Sequence, residues 1–115
     1  MIAKLIPPCL VLFAAVAMTA IAADVQADGK AIFEGKCSIC HGKDGKGQTK
    51  MGARVGIKDL TDAQFQATFT DEQLLKILKE GLKNGEMTRM KAYGQVMSDE
   101  EIKAVIAYVR LFVKK

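Results

Sequence analysis

The chain has 115 residues, half of them apolar, and its 17 Lys and Arg outnumber its 13 Asp and Glu to leave a formal charge of +4. That length holds one domain rather than two, and the mix of apolar and charged residues excludes both a disordered tail and a multi-span membrane protein. The apolar residues are unevenly spread: residues 5–23 contain no charged side chain. Without that stretch about 90 residues remain, a size at which a core is marginal unless a metal, a crosslink or a large bound group supports it.

Lys4 precedes the apolar run Leu10-Val11-Leu12-Phe13-Ala14-Ala15-Val16-Ala17, and small residues follow. This is the n-region, h-region and Ala-x-Ala exit of a secretory leader. Residues 1–22 are read as that leader, with alternative cleavage positions reaching residue 27, and residues 23–115 as the mature domain. The competing reading is an uncleaved anchor, since the uncharged stretch approaches spanning length. Pro7, Pro8 and the Ala-rich second half argue against it, and Cys9 lies ahead of the h-region, away from any lipid-attachment pattern. Export to the periplasm, with no stable membrane insertion afterwards, is the expectation. The mature chain then carries +3, no proline, and two cysteines, Cys37 and Cys40. In an oxidising compartment such a pair is a disulfide, a metal site or a covalent attachment point.

In chain order, residues 28–36 predict a short helix running into Cys37. Residues 42–59, with Gly42, Gly45, Gly47, Gly52 and Gly56 among charged side chains, read as a long loop too glycine-rich for helix. Thr61 and Gln64 have capping-box spacing and open a short helix through Thr68; Thr70 and Gln73 repeat the device for a longer one. There Leu74, Leu75, Ile77 and Leu78 form the inward face, and Gly81 suits the C-terminal cap. Ser98 and Glu101 form the strongest start signal, flanked by Met97 and Ile102 as a hydrophobic staple. Ile102, Val105, Ile106, Val109 and Val113 then make an apolar stripe at helical spacing. No convincing alternating strand is found. The expected class is all-α, four or five helices with conspicuous loops at 42–59 and 82–97.

The residues that carry chemistry are Cys37-Ser38-Ile39-Cys40-His41, the C-x-x-C-H pattern of c-type haem attachment. Thiols three residues apart at a helix end reach the two neighbouring vinyl groups on one porphyrin edge. The next residue brings its imidazole beneath the iron. A redox dithiol shares C-x-x-C but typically sits near a βαβ pattern, which is missing here. A zinc site needs a fourth ligand, and no Cys or His beyond Cys37, Cys40 and His41 survives leader removal. A plain disulfide explains neither the adjacent His nor the small core. Because His41 is the only histidine, bis-histidine ligation within one chain is impossible, and the sixth iron position is Met, Lys or empty.

Four methionines remain after the leader, and a Met among apolar neighbours is more often core filler than ligand. Met97 is consumed by the staple, and Met51 lies close in sequence to the proximal side. Met87 and Met90 lie in the second loop, where the chain can return over the other haem face. The set Cys37–His41, Met90-Lys91-Ala92-Tyr93-Gly94 and Ser98-Asp99-Glu100-Glu101-Ile102 resembles the class I cytochromes c of the small soluble bacterial type. That family commonly reads Met-Pro-Ala-Tyr/Phe-Gly ahead of a Ser-Asp-Glu-Glu helix. The resemblance implies a cytochrome c fold, its helices wrapped around one covalently attached haem c. It also implies Met90 as the distal sulfur ligand beside His41, Met87 as the second candidate, and haem contacts from Leu60 and Tyr93. It further implies that the first helix, with Gly29 and Phe33, packs on the last at Val105 and Tyr108. Lys91 and Lys58 stand where the family has proline, which implies looser loops, and Lys91 is an alternative ligand when Met90 is displaced.

A haem held by His41 and Met90 offers no open coordination site, so the resemblance implies a one-electron carrier of a respiratory or photosynthetic-type chain, not an enzyme. Lys36, Lys43, Lys46, Lys50, Arg54, Lys83, Arg89 and Lys91 are either a solvated face or a basic rim for acidic donor and acceptor proteins. A monomer is expected, with no nucleic-acid partner. Competing functions are a haem sensor or peroxidase-like protein with an open sixth position, a thiol-disulfide oxidoreductase, and a haem subunit of a larger complex.

Overall fold

The computed structural model describes residues 27–113; the leader read in residues 1–22 lies outside them. Asp28 caps the first helix, its carboxylate accepting the Ala31 N–H at 3.1 Å. Helix α1 (Gly29–Ile32) widens into a π-helical stretch, Phe33–Cys37, and tightens again as α2 (Ser38–His41). The Ser38 N–H donates to the Phe33 carbonyl across the wide turn. Such π-turns inside helices often mark functional sites, and this one ends on Cys37.

Helix α3 (Lys50–Val55) corrects the reading of residues 42–59 as loop throughout. Thr49 caps it by accepting the Gly52 N–H at 2.8 Å, and Gly56 ends it in the left-handed conformation, φ 66°. Thr49 and Gly56 thus supply the start and stop that the glycine content obscured. Helix α4 (Ala63–Ala67) begins one residue later than expected. Asp62, not Thr61, is its cap, because the Thr61 hydroxyl is engaged with the Asp59 carboxylate. Helices α5 (Asp71–Glu80) and α6 (Asp99–Arg110) start with the two predicted capping boxes, Thr70/Gln73 and Ser98/Glu101, both fully formed. Gly81 caps α5 as expected.

The segment 82–97 is not loop alone. Strands β1 (Leu82–Asn84) and β2 (Met87–Met90) pair antiparallel around Gly85-Glu86, with Leu82 opposite Met90. This small hairpin is mostly exposed, so it carries no alternation of apolar and polar residues for periodicity to detect. The fold is otherwise helical.

The core forms where α1 crosses α6. Phe33, Ile102 and Val105 are fully buried, and Met97 and Ile106 join them, as the staple and stripe predict. Phe33 stacks among Tyr108 and Phe112, with ring centres 5.5 and 5.1 Å away. The crossing is so close that a Cβ on Gly29 would lie 2.1 Å from the Ala104 carbonyl oxygen. Only glycine fits there, as the resemblance implied.

Candidate haem site

Between these helices lies a cavity of about 500 Å³, inside the ~300–1,000 Å³ span of ligand and cofactor pockets. Its wall is mostly apolar: Val55, Ile57, Leu60, Phe65, Phe69, Leu74, Ile77 and Leu78 all face it. All six residues singled out from the sequence, Cys37, Cys40, His41, Leu60, Met90 and Tyr93, border this one cavity.

They arrive from several separate pieces of backbone. The π-stretch and α2 bring Cys37, Cys40 and His41, and both thiols are free. The Cys40 carbonyl is held by the Thr49 hydroxyl at 2.7 Å, which fastens the motif to the start of α3. Leu60 is fixed by its N–H to the Gly45 carbonyl at 2.8 Å. Met90 closes β2, partly buried against the core. Tyr93 donates its backbone N–H to the Leu78 carbonyl, while its hydroxyl reaches the Lys36 carbonyl at 3.4 Å.

Burial sets the chemistry of the motif. It lowers the His41 pKa to about 4, so the ring is neutral at ordinary pH and carries the lone pair that ligation needs. The His41 Nδ1 is buried without a hydrogen-bond partner. Burial also raises Cys37 to about 11, against a smaller opposing effect of Lys36, and so keeps it a neutral thiol. Redox dithiols depend instead on a lowered thiol pKa.

The four methionines are sorted by position. Met87 is exposed and off the cavity, and Met97 is buried in the core away from it. Met51 borders the cavity but sits on α3, which packs against the Cys–His segment. Met90 borders it from β2. Lys58 and Lys91 also reach the wall.

Two polar residues on the wall, Gln66 and Arg110, escaped sequence reasoning, and a third, Arg89, was read there only as a rim charge. The buried Gln66 donates its amide to the Leu60 and Val109 carbonyls at 2.6 and 2.8 Å. Arg110 donates to the Gln66 and Phe69 carbonyls, each at 2.7 Å, and pairs with Asp71 at 2.9 Å. Together they stitch α4 and the start of α5 to α6 over distances of about 40 residues, with no local signal. Arg89, the third, bonds the Val55 and Gly56 carbonyls.

A helical shell around one apolar cavity, with two free thiols, a neutral, partly buried imidazole and a thioether on its wall, fits a covalently held metalloporphyrin. Residues 24–109 match the family model described as cytochrome c oxidase, cbb3-type, subunit III. Among curated proteins the chain is 29% identical over 89 residues to the cbb3-type cytochrome c oxidase subunit FixP of Azorhizobium caulinodans, covering 74% of this chain but only 28% of that one. Among solved structures it is similar to the KustC0563 c-type cytochrome, with 32% identity, TM-score 0.67, and coverage of 76% of this chain and 99% of the other. A mutant of that cytochrome gives 33% identity and TM-score 0.66 over 74% and 98% of the two chains.

The chain belongs to this cytochrome c family, and its cofactor is a covalently attached haem c with its iron. Haem-based electron transfer is the chemistry of the domain.

Proposed function

We propose that the chain is an exported one-electron carrier whose haem is bonded to Cys37 and Cys40 and ligated by His41 and Met90. The observation that carries the reading is the convergence of these four side chains, from three separate elements, on one apolar cavity. The haem supplies a single iron that cycles between Fe(III) and Fe(II). The residues do the rest. Cys37 and Cys40 fix the porphyrin edge to the π-stretch and α2. His41, kept neutral by burial, would hold the iron from one side, and Phe33, 6.0 Å away centre to centre, supports its ring. Met90 would hold it from the other, and Leu60 and Tyr93 would contact the ring system. A thioether ligand and an apolar wall both favour the less charged Fe(II) and raise the potential. With the same two residues holding the iron in both oxidation states, little rearrangement would accompany each electron.

Replacing Met90 with Ala tests the ligand set. The oxidised variant is expected to lose the weak red band of methionine-ligated Fe(III), and its reduction potential to fall by on the order of 100 mV or more, since axial ligand identity is a main lever on haem potential. An unchanged band and potential would move the assignment to another residue.

Donor and acceptor are proposed to be redox proteins with acidic docking faces, met in the periplasm. Lys36, Lys58, Arg89 and Lys91 line the cavity, and so do the exposed Ile39, Met51 and Leu82. Cations around a small apolar patch are suited to steer an acidic partner and release it quickly. Electron transfer with such a partner should slow about tenfold or more from ~10 mM to ~500 mM salt, as screening shortens the reach of these charges. Rates independent of salt would reduce the lysines to a solvated face. Among the described residues no helix is long and apolar enough to cross a membrane, and the leader reading of residues 1–22 accounts for export. The thiol-disulfide alternative is disfavoured by the raised Cys37 pKa, and the open-site alternative by Met90 on the wall.

A further inference from the structure

The strand that carries Met90 is fastened on two sides. On one side, β2 pairs with β1, and Gly81 lies directly against it. A Cβ on Gly81 would stand 2.6 Å from the Met90 carbonyl oxygen, and φ there is +77°, so glycine is required twice over. The next residues are bonded to the end of α5: Tyr93 N–H to Leu78 and Gly94 N–H to Lys79. On the other side stands one side chain. Arg89 donates from Nε to the Val55 carbonyl at 3.1 Å and from Nη2 to the Gly56 carbonyl at 3.0 Å. Among the described residues these are the hydrogen bonds that join the hairpin to α3 and its cap.

The acceptors explain why an arginine is used. Carbonyls in the last turn of a helix have no intrahelical partner and carry partial negative charge. The left-handed turn at Gly56 presents two successive ones to a single guanidinium, whose planar fork meets both, whereas an ammonium is a point charge. Among the described residues Arg89 enters no ion pair, so no carboxylate competes with these carbonyls for its N–H groups, and its positive charge remains part of the rim. Helix α3 supplies Met51 and Val55 to the cavity wall, and Arg89 itself borders the cavity. The clasp therefore bridges the wall next to the Cys–His motif and the strand that ends in Met90.

Resting on the reading of Met90 as distal ligand, we propose that Arg89 is its positioning residue: by clasping the Val55 and Gly56 carbonyls it holds β2 against α3 and keeps the methionine sulfur on the iron. A thioether is a weak, neutral ligand, and the lifetime of its bond depends on how firmly its backbone is held. Among the described residues Lys91, the next cation along, has no such attachment to replace it.

The test uses the oxidised, full-length holoprotein and imidazole as an entering ligand, at concentrations where its binding rate levels off at the rate of methionine release. Arg89→Ala should raise that limiting rate about tenfold or more, the order expected for losing charged hydrogen bonds to two carbonyls. Arg89→Lys, able to meet one carbonyl, should raise it less. Lys79→Ala, which removes the exposed Lys79–Asp99 ion pair at 3.0 Å, should leave it unchanged. Equal limiting rates in wild type, Arg89→Ala and Arg89→Lys would overturn the proposal. So would a lower unfolding midpoint with an unaltered limiting rate, because that is a merely structural role. Should Arg89→Ala yield no holoprotein, the Lys variant decides alone. Met90→Ala separates the two claims. If it still binds imidazole at the wild-type limiting rate, the ligand assignment fails and the proposal with it. If it binds without any limiting step while Arg89→Ala matches wild type, only the role of Arg89 fails.

Discussion

The double variant Cys37→Ser, Cys40→Ser, produced alongside a working haem-attachment apparatus, is expected to yield a chain from which acidified organic solvent strips all pigment, whereas wild type stays red. Serine hydroxyls do not add across the porphyrin vinyls, so both covalent bonds are lost while the size of each side chain is nearly preserved. The consequence for folding should be larger than the loss of two bonds. Without its occupant the apolar wall of a cavity of about 500 Å³ is left facing water, a cost that a small domain with only ~5–15 kcal/mol of stability cannot easily carry. The stripped chain should therefore lose most of its helical circular dichroism, and wild type should not. Retention of helix in the pigment-free chain would show that the shell stands without its centre.

Gly29→Ala is expected to destabilise the holoprotein by ~3 kcal/mol or more, at the upper end of overpacking costs. The new methyl carbon would sit 2.1 Å from the Ala104 carbonyl oxygen and 2.6 Å from its carbon. Both belong to backbone, so no side chain can swing aside; α1 must separate from α6. That crossing carries Phe33 and Val105, each about 1% exposed, so the separation opens the best-packed part of the core. For a domain this size the midpoint of thermal unfolding should fall by roughly 10–20 °C. Gly35→Ala is the control, because nothing lies within 4 Å of its added carbon. There the gain in helix propensity should leave stability equal or higher by ~0.5–1 kcal/mol. Similar losses at both positions would contradict the close approach.

What the sequence made legible was local. Cys37, Cys40 and His41 announce themselves by spacing, and the boxes at Thr70 and Ser98 begin helices where their hydroxyls and carboxamide or carboxylate partners require. Met90 could be ranked above Met87 only through the residues that follow it, and the exposure of Met87 agrees with that order. Other features depended on contacts that spacing cannot express. Helix α3 was hidden by glycines, although Thr49 and Gly56 bracket it with ordinary capping chemistry. The hairpin at 82–90 had a usable signal in Asn84-Gly85, but its exposed flanks removed the alternation that would have supported it. Gln66, Arg89 and Arg110 find their partners more than 30 residues away. Their importance arises only once the chain has closed around a cavity. The cavity itself is the least legible feature, since its volume belongs to a group that the polypeptide does not encode.

One imidazole, from His41, and one thioether, from Met90, would together hold the iron inside this shell. The absorption spectrum of the oxidised wild-type protein at neutral pH tests that most directly. A low-spin spectrum with the weak red band of sulfur-ligated Fe(III) is the predicted result; a high-spin spectrum, or a low-spin one without that band, would contradict it.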